Sequence, residues 1–129
     1  MKSANGGNHH TTLISADTEM VGDIHFAGSL EIEGKVRGNI LATAGQEAIV
    51  RVLGSGLVEG DITAPTVIIN GAVKGNVHAS AHVELAANAR VAGNIHYTVV
   101  EMVKGAQING SLIYAAHNKP GLKVAADNS

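Results

Sequence analysis

The 129-residue chain has the length of a single domain, and its net charge of −2 excludes an electrostatic case for nucleic-acid binding. The absence of cysteine excludes disulfides and thiolate metal sites, and one Phe, two Tyr and no Trp leave few large rings to fill a compact globular core. What remains is Val, Ile, Leu and Ala punctuated by 16 glycines and only two prolines, a composition suited to β-structure with many tight turns.

The chain opens with "MKSANGGNHHTT", which has no apolar leader core, and no apolar run of about 18 residues occurs later. A soluble intracellular protein is therefore expected, with residues 1–11 as a flexible N-terminal tail. A repeat then begins. Gly-(Asp/Asn/Ser)-aliphatic recurs as Gly22-Asp23-Ile24, Gly38-Asn39-Ile40, Gly60-Asp61-Ile62, Gly75-Asn76-Val77, Gly93-Asn94-Ile95 and Gly110-Ser111-Leu112. The glycines are 16, 22, 15, 18 and 17 residues apart. Counting back ten residues from each aliphatic aligns "ISADTEMVGDI", "LEIEGKVRGNI", "VLGSGLVEGDI", "VIINGAVKGNV", "LAANARVAGNI" and "MVKGAQINGSL".

Read as rows, these segments separate an interior from an exterior. Three rows are aliphatic throughout: Ile14, Leu30, Val52, Val67, Leu85, Met102; then Met20, Val36, Val58, Val73, Val91, Ile108; then Ile24, Ile40, Ile62, Val77, Ile95, Leu112. The row Val21, Arg37, Glu59, Lys74, Ala92, Asn109 alternates in charge at its centre, as expected of outward neighbours that attract between coils. A period this short fits one coil of a β-solenoid, three short strands joined by corners that need Gly, Asn or Asp. The expected fold is all-β, a right-handed parallel β-helix of about six coils with disordered tails. The domain occupies 12–117, and 118–129, with Pro120-Gly121, form a C-terminal tail. The six-residue spacing of Gly22, Gly28 and Gly34 hints at a left-handed hexapeptide helix, but the beat breaks in later coils, which favours the right-handed form. The 22-residue step holds "LATAGQEAIVRV", read as a longer strand or a small surface loop.

The motifs "EGKVRGNI", "VEGDI", "NGAVKGNV", "ANARVAGNI" and "GAQINGSL" resemble the bactofilin family of bacterial cytoskeletal proteins over residues 12–114. The resemblance implies a right-handed β-helix that assembles without nucleotide into non-polar filaments by end-to-end stacking. It implies cell-wall or morphogenesis proteins as partners beside the chain itself. It also implies a short N-terminal apolar segment for inner-membrane association, and residues 1–12 contain no such cluster, so no membrane anchor is seen. The expected location is the cytoplasm, with the inner face of the cytoplasmic membrane as the alternative.

The solenoid argues in the same direction from physics, because terminal coils expose stacked core and unpaired backbone unless something caps them. No capping helix is evident at either end. The candidate polymerisation interface is Leu13, Ile14, Met20 and Phe26 at one end and Met102, Ile108, Leu112 and Tyr114 at the other. All three aromatics share one repeat position, running Phe26, Ala42, Ala64, Ala79, Tyr97, Tyr114, which suggests either corner packing or stacking surfaces for Phe26 and Tyr114.

Catalysis and cofactors find no foothold. His25, His78 and His96 share a row with Leu41, Thr63 and Ile113, with no recurring carboxylate beside it, so a solvated ladder is expected and no metal. The row Asp23, Asn39, Asp61, Asn76, Asn94, Ser111 reads as corner residues bonding their own turns, not as paired catalytic carboxylates. The glycines open no helix, so nucleotide binding has no support. The competing readings are a hexapeptide-type acyltransferase or another β-helix enzyme, and a monomeric binding module displaying flat β-faces.

Overall fold

The computed structural model describes residues 11–43 and 47–115, which form sixteen strands and no helix. The first coil is β1 (Thr11–Ile14), β2 (Glu19–Val21) and β3 (Ile24–Phe26), and the second is β4 (Gly28–Ile32), β5 (Lys35–Arg37) and β6 (Ile40–Ala42). β7 (Ala48–Val52), β8 (Leu57–Glu59) and the start of β9 (Ile62–Ile69) make the third. The remainder of β9, β10 (Ala72–Lys74) and the start of β11 (Val77–Leu85) make the fourth. The remainder of β11, β12 (Arg90–Ala92) and β13 (Ile95–Tyr97) form the fifth coil, and β14 (Val100–Met102), β15 (Gln107–Asn109) and β16 (Leu112–Tyr114) the sixth.

Every strand of the first five coils pairs in parallel with the strand one coil later, so the described residues form a parallel β-solenoid of six coils with three faces. The β2-β5-β8-β10-β12-β15 face is a separate six-stranded sheet. The other two faces are continuous because β9 and β11 each run round a corner. The register between them shifts between Ala79 and His82, and Pro65, which has no N–H to give a ladder, sits at that corner. The tail readings at 1–10 and 118–129 lie outside the described residues. So does part of the link between β6 and β7 that accounts for the 22-residue step.

Inward side chains stack in columns, as the aliphatic rows predicted. Met20, Val36, Val58, Val73, Val91 and Ile108 are register partners in turn, as are Ile24, Ile40, Ile62, Val77, Ile95 and Leu112. The third row needs correction. Ile14 stacks on Ile32, then Val52, Ile69, Leu85 and Met102, while Leu30 and Val67 lie two residues away in the neighbouring inward column with Val50 and Val83. The cause is a corner of two lengths. Ile32 and Ile69 stand four residues before Val36 and Val73, whereas Val52, Leu85 and Met102 stand six before Val58, Val91 and Ile108. A slip of two keeps a side chain on the same side of a strand, so the core pattern survived the error.

The core contains no buried polar or charged side chain among the described residues. Leu30, Ile32, Val36, Val50, Val58, Ile62, Val73 and Ile95 are wholly buried. With aliphatic columns this regular, ring-shaped groups are not needed to fill space, which explains the poverty in aromatics.

Candidate interface at the ends of the stack

The corner between the face of β2 and the face of β3 shows how one coil is fitted to the next. At Gly60 a Cβ would lie 2.1 Å from the carbonyl oxygen of Gly38, one coil earlier, and the same obstruction repeats at Gly38, Gly75, Gly93 and Gly110. Side chains are impossible there because adjacent backbones touch. Among the described residues nothing lies within 4 Å of a Cβ at Gly22, in the first coil, so no described coil fills the place before it.

The residue after each glycine completes the joint, in a manner different from the expected bonding within a turn. Asp23 Oδ1 accepts the backbone N–H of Asn39 at 2.9 Å, Asn39 Oδ1 that of Asp61, and Asp61 Oδ1 that of Asn76. Asn76 Oδ1 then accepts from Asn94, and Asn94 Oδ1 from Ser111 at 3.1 Å. In a parallel stack the equivalent amide one coil ahead is the nearest unpaired donor, so the side chain reaches forward to it. The ladder has a direction. It ends at Ser111, whose short hydroxyl stands where an amide oxygen would project toward a seventh coil.

The inward columns all open at the sixth coil, and those of Met20 and Ile24 open at the first as well, while Ile14 stays buried. In the second column, Met20 is 41% exposed, whereas Val36, Val58 and Val73 are fully buried and Ile108 is half-buried. Met102, Leu112 and Tyr114 in the last coil are exposed at 46%, 40% and 55%. Of the other residues anticipated for the interface, Ile14 and Phe26 lie buried beneath the second coil, and Leu13 points outward in register with Glu31. The structure adds Val21 in the first coil, and Val103 and Ile113 in the last, as exposed aliphatics. Repeat alignment did not single these out because their outward rows mix polar and apolar residues, Val21 standing with Arg37 and Glu59 and Ile113 with His25 and Leu41.

Lateral faces carry the charges. Arg37 Nε lies 3.3 Å from Glu59, its neighbour in the alternating row, and 3.1 Å from Glu19, which stands outside that row, so it bridges three successive coils; Arg51 lies 3.5 Å from Glu31. His78 and His96 do form a ladder, with rings stacked at 4.5 Å and 12°. No catalytic constellation is assembled among the described residues. No helix among them is long and apolar enough to cross a membrane.

Residues 12–113 match the family model described as Bactofilin, polymer-forming cytoskeletal. Among curated proteins, the chain is similar to Bactofilin BacO of Myxococcus xanthus (strain DK1622), 37% identical over 101 residues that make up 78% of this chain and 77% of that one. It is also similar to Bactofilin BacP of the same organism, 29% identical over 103 residues, covering 80% of this chain but 41% of BacP. No solved structure matches.

Proposed function

The chain belongs to the bactofilin family, and on that premise we propose that its first and sixth coils are the surfaces through which it polymerises. Its role is structural and cytoskeletal. The observation that carries the finer reading is that the aliphatic columns are dry through the second to fifth coils, that all of them open at the sixth, and that the columns of Met20 and Ile24 open at the first as well. A surface of half-exposed Met102, Leu112 and Tyr114, together with an open backbone edge, is a template for another solenoid. Met20, Ile24 and the vacant approach to Gly22 form the opposite template. Both surfaces belong to the folded chain itself, so assembly needs no nucleotide. The filament then serves as a cytoplasmic scaffold for cell-wall or morphogenesis proteins, and its β-faces display charge rather than a reaction centre.

Sedimentation and negative-stain microscopy of purified protein in nucleotide-free buffer test this reading. The parent chain should form filaments, whereas Ile108→Arg and Leu112→Arg should remain as soluble monomers with the parent's circular dichroism. Filaments that persist in both variants would contradict it, as would discrete trimers of the parent, the assembly expected of an acyltransferase.

A further inference from the structure

On the face that begins at β1 one outward column runs Leu13, Glu31, Arg51, Ile68, Glu84, Glu101 in unbroken register. Its first charges are complementary, since Glu31 meets Arg51. Its last two are not. Glu84 and Glu101 are direct partners on adjacent strands, and like charges placed so repel. Their neighbour before Glu84 is Ile68, which offers no compensating charge.

What stands beside them is His82, two residues before Glu84 and on the same side of β11. Its Nε2 lies 3.8 Å from Glu84 Oε1 and 3.6 Å from Glu101 Oε1. One ligand atom from each of the three residues falls within 4.8 Å of the other two. His82 and Glu84 are only partly exposed, which limits the rotamers they sample and keeps the group converged. Nitrogen and oxygen ligands at roughly 2.0–2.2 Å from a tetrahedral zinc ion stand about 3.4 Å from one another. The two separations from His82 exceed that by a few tenths of an ångström, and the two carboxylate oxygens, within 4.8 Å of each other, close the remaining gap by rotation of the more exposed Glu101.

We propose that His82, Glu84 and Glu101 form a binding site for one divalent cation of the zinc class, with solvent completing its coordination. The donor set is one neutral imidazole and two carboxylates, which suits zinc and disfavours calcium and magnesium, ions that take oxygen ligands alone. A bound ion would convert the repulsion between Glu84 and Glu101 into a clamp from β11 to β14. It would thereby fasten the terminal sixth coil, the one with most exposed apolar surface, to the fifth. The site lies on a lateral face and does not depend on how the ends associate.

The test uses the full chain stripped with a chelator and titrated with zinc chloride by calorimetry, with cobalt(II) absorption as a spectroscopic companion. We expect one saturable equivalent, a melting temperature raised by zinc, and a visible cobalt band of low coordination number. Glu101→Gln and His82→Gln should each weaken zinc at least tenfold, as loss of one of three ligands requires. His82→Lys keeps a cation between the glutamates, so it should fold yet lose the uptake. The double variant His78→Gln/His96→Gln should bind like the parent. Absence of a saturable equivalent would overturn the proposal. So would uptake unchanged in His82→Lys and Glu101→Gln, which would assign the zinc to other histidines.

Discussion

The first and sixth coils end the same columns, yet they meet solvent differently. Ile14 and Phe26 are only 5% and 8% exposed, while their column counterparts Met102 and Tyr114 stand at 46% and 55%. Neighbouring side chains explain the contrast at the aromatic position. Phe26 is in register with Ala42, whose small side chain leaves room for the ring to lie down over the second coil. Tyr114 is in register with Tyr97, and the two rings meet tilted at 50° with centroids 5.8 Å apart, so the outer ring is propped into solvent. The stack therefore has one partly healed end and one raw end. Where like ends meet in a filament, the junction between raw ends should be the stronger, because more apolar surface leaves water when it is covered.

Substitutions at equivalent positions can break or sharpen that comparison. The largest effect is expected from Gly60→Ala, whose added methyl group would overlap the Gly38 carbonyl in the middle of the stack. A loss of about 3 kcal/mol or more in denaturant unfolding is expected there. Gly22→Ala meets nothing and carries only the strain of its φ of 121°, about 1 kcal/mol. Equal losses at the two sites would refute the idea that the column is sealed inside and open at the first coil.

Next in size is the effect on assembly. Leu112→Arg should raise the critical concentration at least about 30-fold, as for a side chain central to an interface, while leaving monomer melting nearly unchanged. Met20→Arg, at the better-covered end, should raise it less. Pelleting assays across a concentration series would show the order, and a larger effect at Met20 would reverse our ranking of the ends.

A smaller difference is expected along the amide ladder. Asn76→Ala strands the N–H of Asn94 and should cost roughly 1–3 kcal/mol of unfolding free energy. Ser111→Ala, where the ladder has no further coil to serve, should cost under about 0.5 kcal/mol. Arg37→Ala should also have a small effect, because its pairs with Glu19 and Glu59 are about half exposed; thermal melts should shift by no more than about 0.5 kcal/mol equivalent.

Much of this architecture was legible in the sequence because stacking imposes the same demand on every coil. The Gly-Asx corner recurs because backbones touch there, and Met20-to-Ile108 recurs as an aliphatic row because its members face one another across each layer. The corner before that row was misjudged at Leu30 and Val67, since an omitted pair of residues leaves the inward pattern intact and so leaves no sign in composition. The forward reach of Asp23 and Asn39 was also hidden. A one-dimensional reading sees an Asx beside its own turn, whereas the bonding partner arrives 16 or 22 residues later. The cluster of His82, Glu84 and Glu101 escaped for a related reason. It joins alternate residues of one strand to a single residue of the next, on the face where coil lengths vary most. For the ends, the columns named which residues close the stack but not that Ala42 would let Phe26 sink while Tyr97 would hold Tyr114 up.

The central claim is that the solenoid axis is also the filament axis. Cryo-electron microscopy of nucleotide-free filaments measures it directly, through the axial strand spacing and the subunit repeat. Six coils at about 4.8 Å each give a repeat of roughly 29 Å per subunit, doubled to about 58 Å if neighbours meet like end to like end. A 4.8 Å layer line along the filament axis with one of those repeats is the predicted result. Strands running parallel to the axis, or a repeat set by side-by-side packing of faces, would contradict the account.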